Sequence, residues 1–511
     1  MIYLKFKLIK LLIYSANCCE IIKNTQKSFQ NKPLLKSFTT IIFILHKDFT
    51  CVIFLAKCDK AFATFEIDYP KRGRKMESNI LLKKNLNIWM ALSLVVGMVI
   101  GSGVFFKATP VAKYSGSFAF IFFAWLLGGV MSLCGALVAA EFSARYPHTG
   151  GLYVYLEKIY GNKISFLFGW MNTLIYTPAI LSALSVLFAD QVSSMLNVNQ
   201  LVHDILAISI LTTIVIINVI GNKYGGAFQL LATVLKLIPL FLIIFFGLIR
   251  PIEAENFISY GHFTENFGLA VLSTLWAYDG WLSVPNVAGE MKNAKKNLVL
   301  VLIFGMLFVM VVYLLVNIAY INVIGIGKLA AAENAINIIS EKLFGRTGKV
   351  LISLGIIISI VGTLNGFALT GIRIPYAMAT NQRFIANNVF SKLHPRFATP
   401  VNSSILVFIL SLLYIFTRSF NRLTDLAMFS TWIFYVLFFI GIFIKRKREG
   451  KNKEGYNTFL YPITPLVAIF SGLYILVNNI FSNPTDSIFS VLITLLGLPV
   501  YFLFVKKKIK K

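Results

Sequence analysis

The sequence predicts an all-α polytopic membrane protein with twelve transmembrane helices, and three observations lead there. Mean hydropathy is +0.76, with 57% hydrophobic and only 14% charged residues, a balance that no water-facing globular surface sustains. The apolar runs are about 20 residues long, which fits a helix crossing a bilayer and not the roughly 10 residues of a barrel strand. Lipid cannot satisfy backbone polar groups, so these runs must be helices. Charged residues fall in short connections between the runs, which makes the net charge of +27 a matter of topology and not of a nucleic-acid surface.

From Asn87 onward there are twelve apolar segments, numbered 1 to 12 in chain order: 87–112, 117–144, 164–190, 204–221, 227–249, 266–289, 298–321, 349–381, 402–418, 423–444, 461–482 and 487–505. With the amino end placed inside, the inner ends and connections carry 23 Lys and Arg and the outer ones 8. That asymmetry is what the positive-inside rule requires, so both termini are expected to be cytoplasmic in a multi-pass plasma-membrane protein. Gly128, Gly129, Gly135, Ala136, Ala139 and Ala140 in segment 2 are spaced to let helix backbones approach closely. The 325–347 connection is long and partly helical in pattern, and is expected to cap the outer mouth.

Residues 1–75 read differently. Their best apolar stretch, 38–56, is cut by His46, Lys47 and Asp48, and Lys10 and the Asn17-Cys18-Cys19 run do not make a signal peptide with its cleavage site. The KRGRK run at 71–75 precedes Met76 and requires purine-rich codons, as a translated ribosome-binding site would. The expectation is that 1–75 is a non-native or disordered leader and that synthesis starts at Met76. Cysteines at 18, 19, 51, 58 and 134 form no CxxC pair and have no His at metal spacing, so no disulfide framework, metal or cofactor is expected.

Two helices are expected to break. In segment 1, Gly101-Ser102-Gly103 combines two poor helix formers with a hydroxyl that can bond backbone groups. In segment 6, Asp279-Gly280 is followed by Pro285. Either motif alone is explained by close helix packing, but matched breaks five segments apart suggest an inverted repeat with a binding site near the midplane. There, helix amino ends face an anion and loosened carbonyls face a cation, and a free amino acid carries both charges. Amides at Ser102, Gly103 and Val104 are expected to hold the α-carboxylate. Carbonyls at Val99, Ile100, Trp276 and Ala277 are expected to receive the α-ammonium.

The runs GMVIGSGVF (97–105), AEFSARYPHTGGLYVY (140–155), LWAYDGWLSVPNVAGEMKNAKKNL (275–298) and LNGFALTGIRIPYAMA (364–379) resemble the L-type amino acid transporter branch of the amino acid, polyamine and organocation superfamily, and within it the bacterial serine/threonine-exchanger-like permeases. The resemblance implies the LeuT fold, an inverted repeat of five plus five helices, with 76–511 as the permease domain. Repeat 1 then spans 87–249, repeat 2 spans 266–444, and 461–505 adds two helices. It also implies sodium-independent movement of L-amino acids, commonly by exchange. By this resemblance Val99, Ser102 and Gly103 match the substrate-binding stretch of segment 1, and Trp276, Ala277 and Asp279 that of segment 6, with Trp276 as an aromatic gate. Two departures stand out. Leu282 occupies the place where animal members commonly have Asn, and 191–203 lacks the cysteine that bonds their partner glycoprotein, so no disulfide-linked heavy chain is expected.

Lys236 lies deep in the apolar run of segment 5, where an isolated Lys costs roughly 2.5–3.5 kcal/mol. The resemblance places it where sodium-driven relatives bind a sodium ion. A buried ammonium that releases and regains its proton would equally serve proton symport, so exchange and symport are rival readings. Asp279 is expected to cap the second half-helix, line the route or take a proton. Glu141 and Arg145, and separately Arg373, stand near inner ends where a gating ion pair can form, and Thr363, Asn365 and Thr431 either face the pathway or bond between helices. An enzyme is disfavoured: His148, His203, His262 and His394 are scattered in connections without a carboxylate at useful spacing. Neutral substrates are favoured because no second carboxylate and no spare Lys or Arg adjoins the breaks.

Overall fold

The computed structural model describes residues 82–505 apart from 197, 252–266, 333–334, 454 and 483, with no side chain described at 347, 349, 421, 425 and 504. The leader, the Met76 start and His262 lie outside the described residues. The described chain is helical, and its one bridge pairs Leu86 with Met291.

Among the described residues ten helices are long and apolar enough to cross a membrane. They include Phe118–Arg145, Asn162–Leu196, Gln200–Ile220, Asn222–Ile249, Ala294–Ile324 and Arg422–Glu449. The apolar helix of segment 9 is shorter, Val401–Ile415, at 15 residues, or about 22 Å at 1.5 Å per residue. Segment 6 divides into Phe267–Ala277 and a 3₁₀ stretch Trp281–Glu290. Its second half is therefore not the α-helix the sequence suggested. Pro285 supplies no amide for an i→i−4 bond, and the backbone kinks at Val287. Segment 1 divides as expected, into Ile88–Val99, Gly103–Phe106 and Ala108–Ser115.

Ile88–Val99 packs against segments 5, 7 and 8, and Phe118–Arg145 lies along Ala294–Ile324. The small residues of segment 2 make this approach possible: a Cβ at Gly129 would meet Met310 Cγ at 2.6 Å, and toward segment 6 one at Gly128 would meet Thr274 Oγ1 at 2.1 Å. The 325–347 connection is helical at Ile326–Ala331 and again from Ala335, and the first of these packs on Ala108–Ser115. The helix from Ala335 runs on into segment 8 across a turn at Gly345.

Charged groups gather at both helix ends. At one, Glu141 accepts from Arg446 at 2.6 Å and Arg145 at 2.9 Å, Arg383 pairs with Glu157 at 2.6 Å, and Lys445 joins Glu449. At the other, His203 stands between Asp190 and Asp204, and Asp204 pairs with Arg418. The first set belongs to the connections expected on the inner side, the second to those expected outside.

Candidate substrate site

The helix Ile88–Val99 stops because Ile100 leaves helical geometry at ψ 79°, and residues 100–102 run as bends until Gly103 starts a new turn. Among the described residues the amides of Ser102, Gly103 and Val104 donate to no group. These are the orphan donors that any helix start leaves, here inside the protein, and they suit an anion. Gly103 has no room for a side chain: a Cβ would lie 2.9 Å from both Cα and Cβ of Ala277 and 3.3 Å from the Trp276 ring. The two breaks thus touch backbone to backbone. Gly280, with φ 114°, turns the chain out of Phe267–Ala277 in a conformation that favours glycine. The residue at the start of the stretch that follows is Gly280, which has no side chain to cap it, and the Asp279 carboxylate lies beside the Gly280 amide.

Tyr313 of segment 7 joins the breaks. Its hydroxyl donates to Val99 O at 2.7 Å and Ala277 O at 3.0 Å, and its ring is held by Trp125 and Tyr278. Lys236 fixes the same region from behind. Its ammonium is fully buried and donates to Gly97 O and Ile100 O at 2.8 Å, Ser359 O at 3.0 Å and Thr363 Oγ1 at 3.1 Å. Four oxygens thus surround one buried cation. Glycine is needed at 97, where a Cβ would meet Thr233 Oγ1 at 2.3 Å.

Between the breaks lies an open-mouthed space of about 50 Å³. Val99, Ser102, Gly103, Trp276, Ala277 and Asp279 line it, with Thr363, Thr424 and apolar walls from Met98, Ile180, Phe367 and Met428. Ile100 and Val104 are buried behind this lining, and the Ile100 carbonyl turns to Lys236. Leu282 is also buried away from the space. Of the carbonyls suggested for an ammonium, Val99 and Ala277 already accept from Tyr313, and Trp276 from the Asp279 amide at 3.2 Å. Each carbonyl retains a second lone pair.

Trp276 covers one end, with Lys107 4.6 Å from its ring centre and Phe420 edge-on at 6.1 Å. Toward the opposite end of segment 6, Glu290 and Arg373 form a buried two-bond pair, Nε–Oε1 2.7 Å and Nη2–Oε2 3.0 Å. Such fork geometry offsets part of the desolvation cost of a buried pair. Glu290 O also accepts the Leu86 amide at 3.0 Å, tying the entry of segment 1 to the exit of segment 6.

Glu141, Arg145 and Arg373 therefore do not form a gate with one another. Arg373 takes Glu290, a residue that composition gave no reason to single out. Thr363 reaches the site through Lys236; Asn365 instead bonds Asn218, Gln229 and Gly225 between helices. Tyr313 and Ser359 escaped notice because a Tyr or Ser in an apolar helix carries no local signal of its partner. No three His, Cys, Asp or Glu among the described residues are grouped to hold a metal ion.

A space between two helix breaks, with free amides on one side, is the arrangement of a solute carrier, and similarity to known proteins agrees. Residues 86–504 match the amino acid permease family. The chain is 38% identical over 430 residues to the serine/threonine exchanger SteT of Bacillus subtilis (strain 168), covering 84% of this chain and 98% of that protein. It is 27% identical to human b(0,+)-type amino acid transporter 1 over 84% of this chain and 89% of that one. To the human cystine/glutamate transporter it is 25% identical over 85% and 89%. The chain belongs to the amino acid permease family and is an amino acid transporter, not an enzyme.

Proposed function

We propose that this protein is a sodium-independent exchanger of small neutral L-amino acids that works by alternating access in the plasma membrane. The observation that carries the reading is the set of three unclaimed amides at Ser102, Gly103 and Val104, two of whose residues line the space between the breaks. The α-carboxylate docks on those amides, and the α-ammonium meets the spare lone pairs of Val99, Trp276 and Ala277. The Lys236 ammonium supplies at the break the charge that a bound sodium ion would supply, so transport draws on no sodium gradient. Exchange is the mode named for the serine/threonine exchanger.

In this reading the twelve segments are twelve spans, with both termini cytoplasmic, and segments 1–5 and 6–10 form an inverted repeat of the LeuT kind. Contacts between segments 1 and 6, 2 and 7, 3 and 8, and 4 and 9 support that pairing. Trp276 forms the outer lid and the Glu290–Arg373 pair the inner lock, which must part for release. The protein works without a disulfide-linked heavy chain, since 191–203 offers no thiol.

Purified protein in liposomes preloaded with unlabelled amino acid is expected to accumulate labelled L-threonine, whereas empty liposomes stay near background. Equal uptake into empty vesicles under an inward proton gradient would instead establish symport, a reading favoured by the position of Asp279 on the wall of the space.

A further inference from the structure

A second, smaller space lies away from the breaks, in the seam between segments 2 and 7. One face of each helix lines it, from Phe118 to Trp125 and from Leu314 to Ile321, at helical spacing. Two polar atoms in this apolar seam have no hydrogen-bond partner among the described residues: Trp125 Nε1 and Asn317 Oδ1. Trp125 is wholly buried and Asn317 is 3% exposed, so neither is wetted from outside. The first atom only donates and the second only accepts. Buried indole N–H and amide oxygen groups are ordinarily paired, yet these two complementary groups line one space without bonding each other.

The space measures about 10 Å³, room for one oxygen with its hydrogen. A water there would find two polar partners in an otherwise aromatic and aliphatic wall, and would leave part of its usual set of about three hydrogen bonds unmade. An alcohol needs less. Its hydroxyl accepts from Trp125 Nε1 and donates to Asn317 Oδ1, while its carbon chain follows the half-buried Phe122, Leu314 and Ile318 out of the seam. The seam also adjoins the residue that joins the breaks. Asn317 Nδ2 donates to Tyr313 O at 2.8 Å, the Trp125 ring lies 5.2 Å from that of Tyr313, and the Tyr313 hydroxyl holds Val99 O and Ala277 O.

We propose that this seam binds the hydroxyl of a membrane-dissolved alcohol, an amphiphile with one small polar head and an apolar chain, and that its occupancy slows the transport cycle. The slowing rests on the transport reading above; the site does not. A bound hydroxyl pairs both orphan atoms only while Trp125 and Asn317 keep their present positions, so it binds this state more tightly than one in which segment 7 and the breaks have shifted. A ligand with that preference holds the protein in one state of the cycle.

Photolysis of the whole chain in liposomes with an octanol that carries a diazirine on its chain tests the site without reference to transport. Label is expected to concentrate between Phe118 and Trp125 and between Leu314 and Ile321. At equal membrane concentration 1-heptanol should compete at least about threefold better than its isomer methyl hexyl ether, which accepts from Trp125 but has no hydrogen to donate to Asn317. In Asn317→Leu and Trp125→Phe, each checked for monodisperse elution, the label or that preference should be lost. Label spread evenly over the lipid-facing helices, equal competition by the ether, or an unchanged preference in both folded variants would each overturn the site. In preloaded liposomes 1-heptanol should slow wild-type threonine exchange more than the ether does, a difference that Asn317→Leu erases; seam labelling without it would overturn the link to Tyr313. Absence of exchange with any amino acid would defeat the transport reading instead, while the labelling still decides the site.

Discussion

Two buried polar centres flank the space between the breaks, and they are finished to different degrees. Lys236 is completely enclosed, and its ammonium meets four oxygens at 2.8–3.1 Å. Across the space, Asp279, Tyr176 and Thr431 have only one another, Tyr435 and Ser283 as polar neighbours, without a hydrogen bond of good geometry at Asp279 Oδ1, Tyr176 OH or Thr431 Oγ1. A buried charge whose hydrogen bonds are all made is part of the fold, whereas one with orphaned neighbours awaits another molecule. The difference separates what holds the first break open from what reads the cargo. In the reading proposed above, the backbone amides near Lys236 treat all substrates alike, and the side chains around the space distinguish them.

The comparison breaks most severely at the contact between the two halves. Gly103→Val is expected to abolish exchange, because even one carbon at that position overlaps Ala277 and a branched side chain also covers the free amides; substantial uptake by the folded variant would show that the amides are not the carboxylate site. Lys236→Met should come next. It removes the ammonium from Gly97 O, Ile100 O and Ser359 O, which keep only hydroxyl donors from Thr363 and Ser359, so thermal stability in detergent should drop together with turnover. Unchanged melting and normal transport would mean that the cage is dispensable.

Glu290→Gln keeps the shape of the inner lock but removes its charge from Arg373, whose own pairing at 2.7 Å is fully buried. The expected result is a lower exchange rate with substrate affinity altered less than threefold, read as a fall in kcat at nearly constant KM. Tyr313→Phe removes one hydroxyl shared by two carbonyls, a change worth about 1 kcal/mol, and should raise KM a few-fold. Leu282→Asn marks the small end of the series. Leu282 does not line the space, so the substrate spectrum should stay the same, and a new specificity would show that position 282 turns toward the cargo during the cycle.

These expectations also show how far the sequence reaches. The two breaks were legible because Gly-Ser-Gly and Asp-Gly-(X)₄-Pro are local signals within apolar runs, and Lys236 because one charge in such a run is conspicuous. Glu290, Tyr313, Ser359 and Tyr176 were not. Their significance lies in partners 83, 214 and 259 residues away for the first three, and for Tyr176 in a π-helical turn that no periodicity reveals. Thr431 was noticed as a polar group in an apolar helix, but whether it faced the pathway or another helix depended on its neighbours. The second half of segment 6 was read as an α-helix since a single Pro does not by itself announce a full 3₁₀ stretch.

The central claim is that a built-in ammonium replaces a bound cation at a clamp for free amino acids. It is tested most directly by threonine exchange in preloaded liposomes with sodium outside and inside replaced by choline. The account predicts equal initial rates in the two media, with Lys236→Met impaired in both. A wild-type rate that collapses without sodium would mean that a sodium ion drives this protein, and a Lys236→Met variant fully active in both media would mean that the ammonium is dispensable; either result would contradict the account.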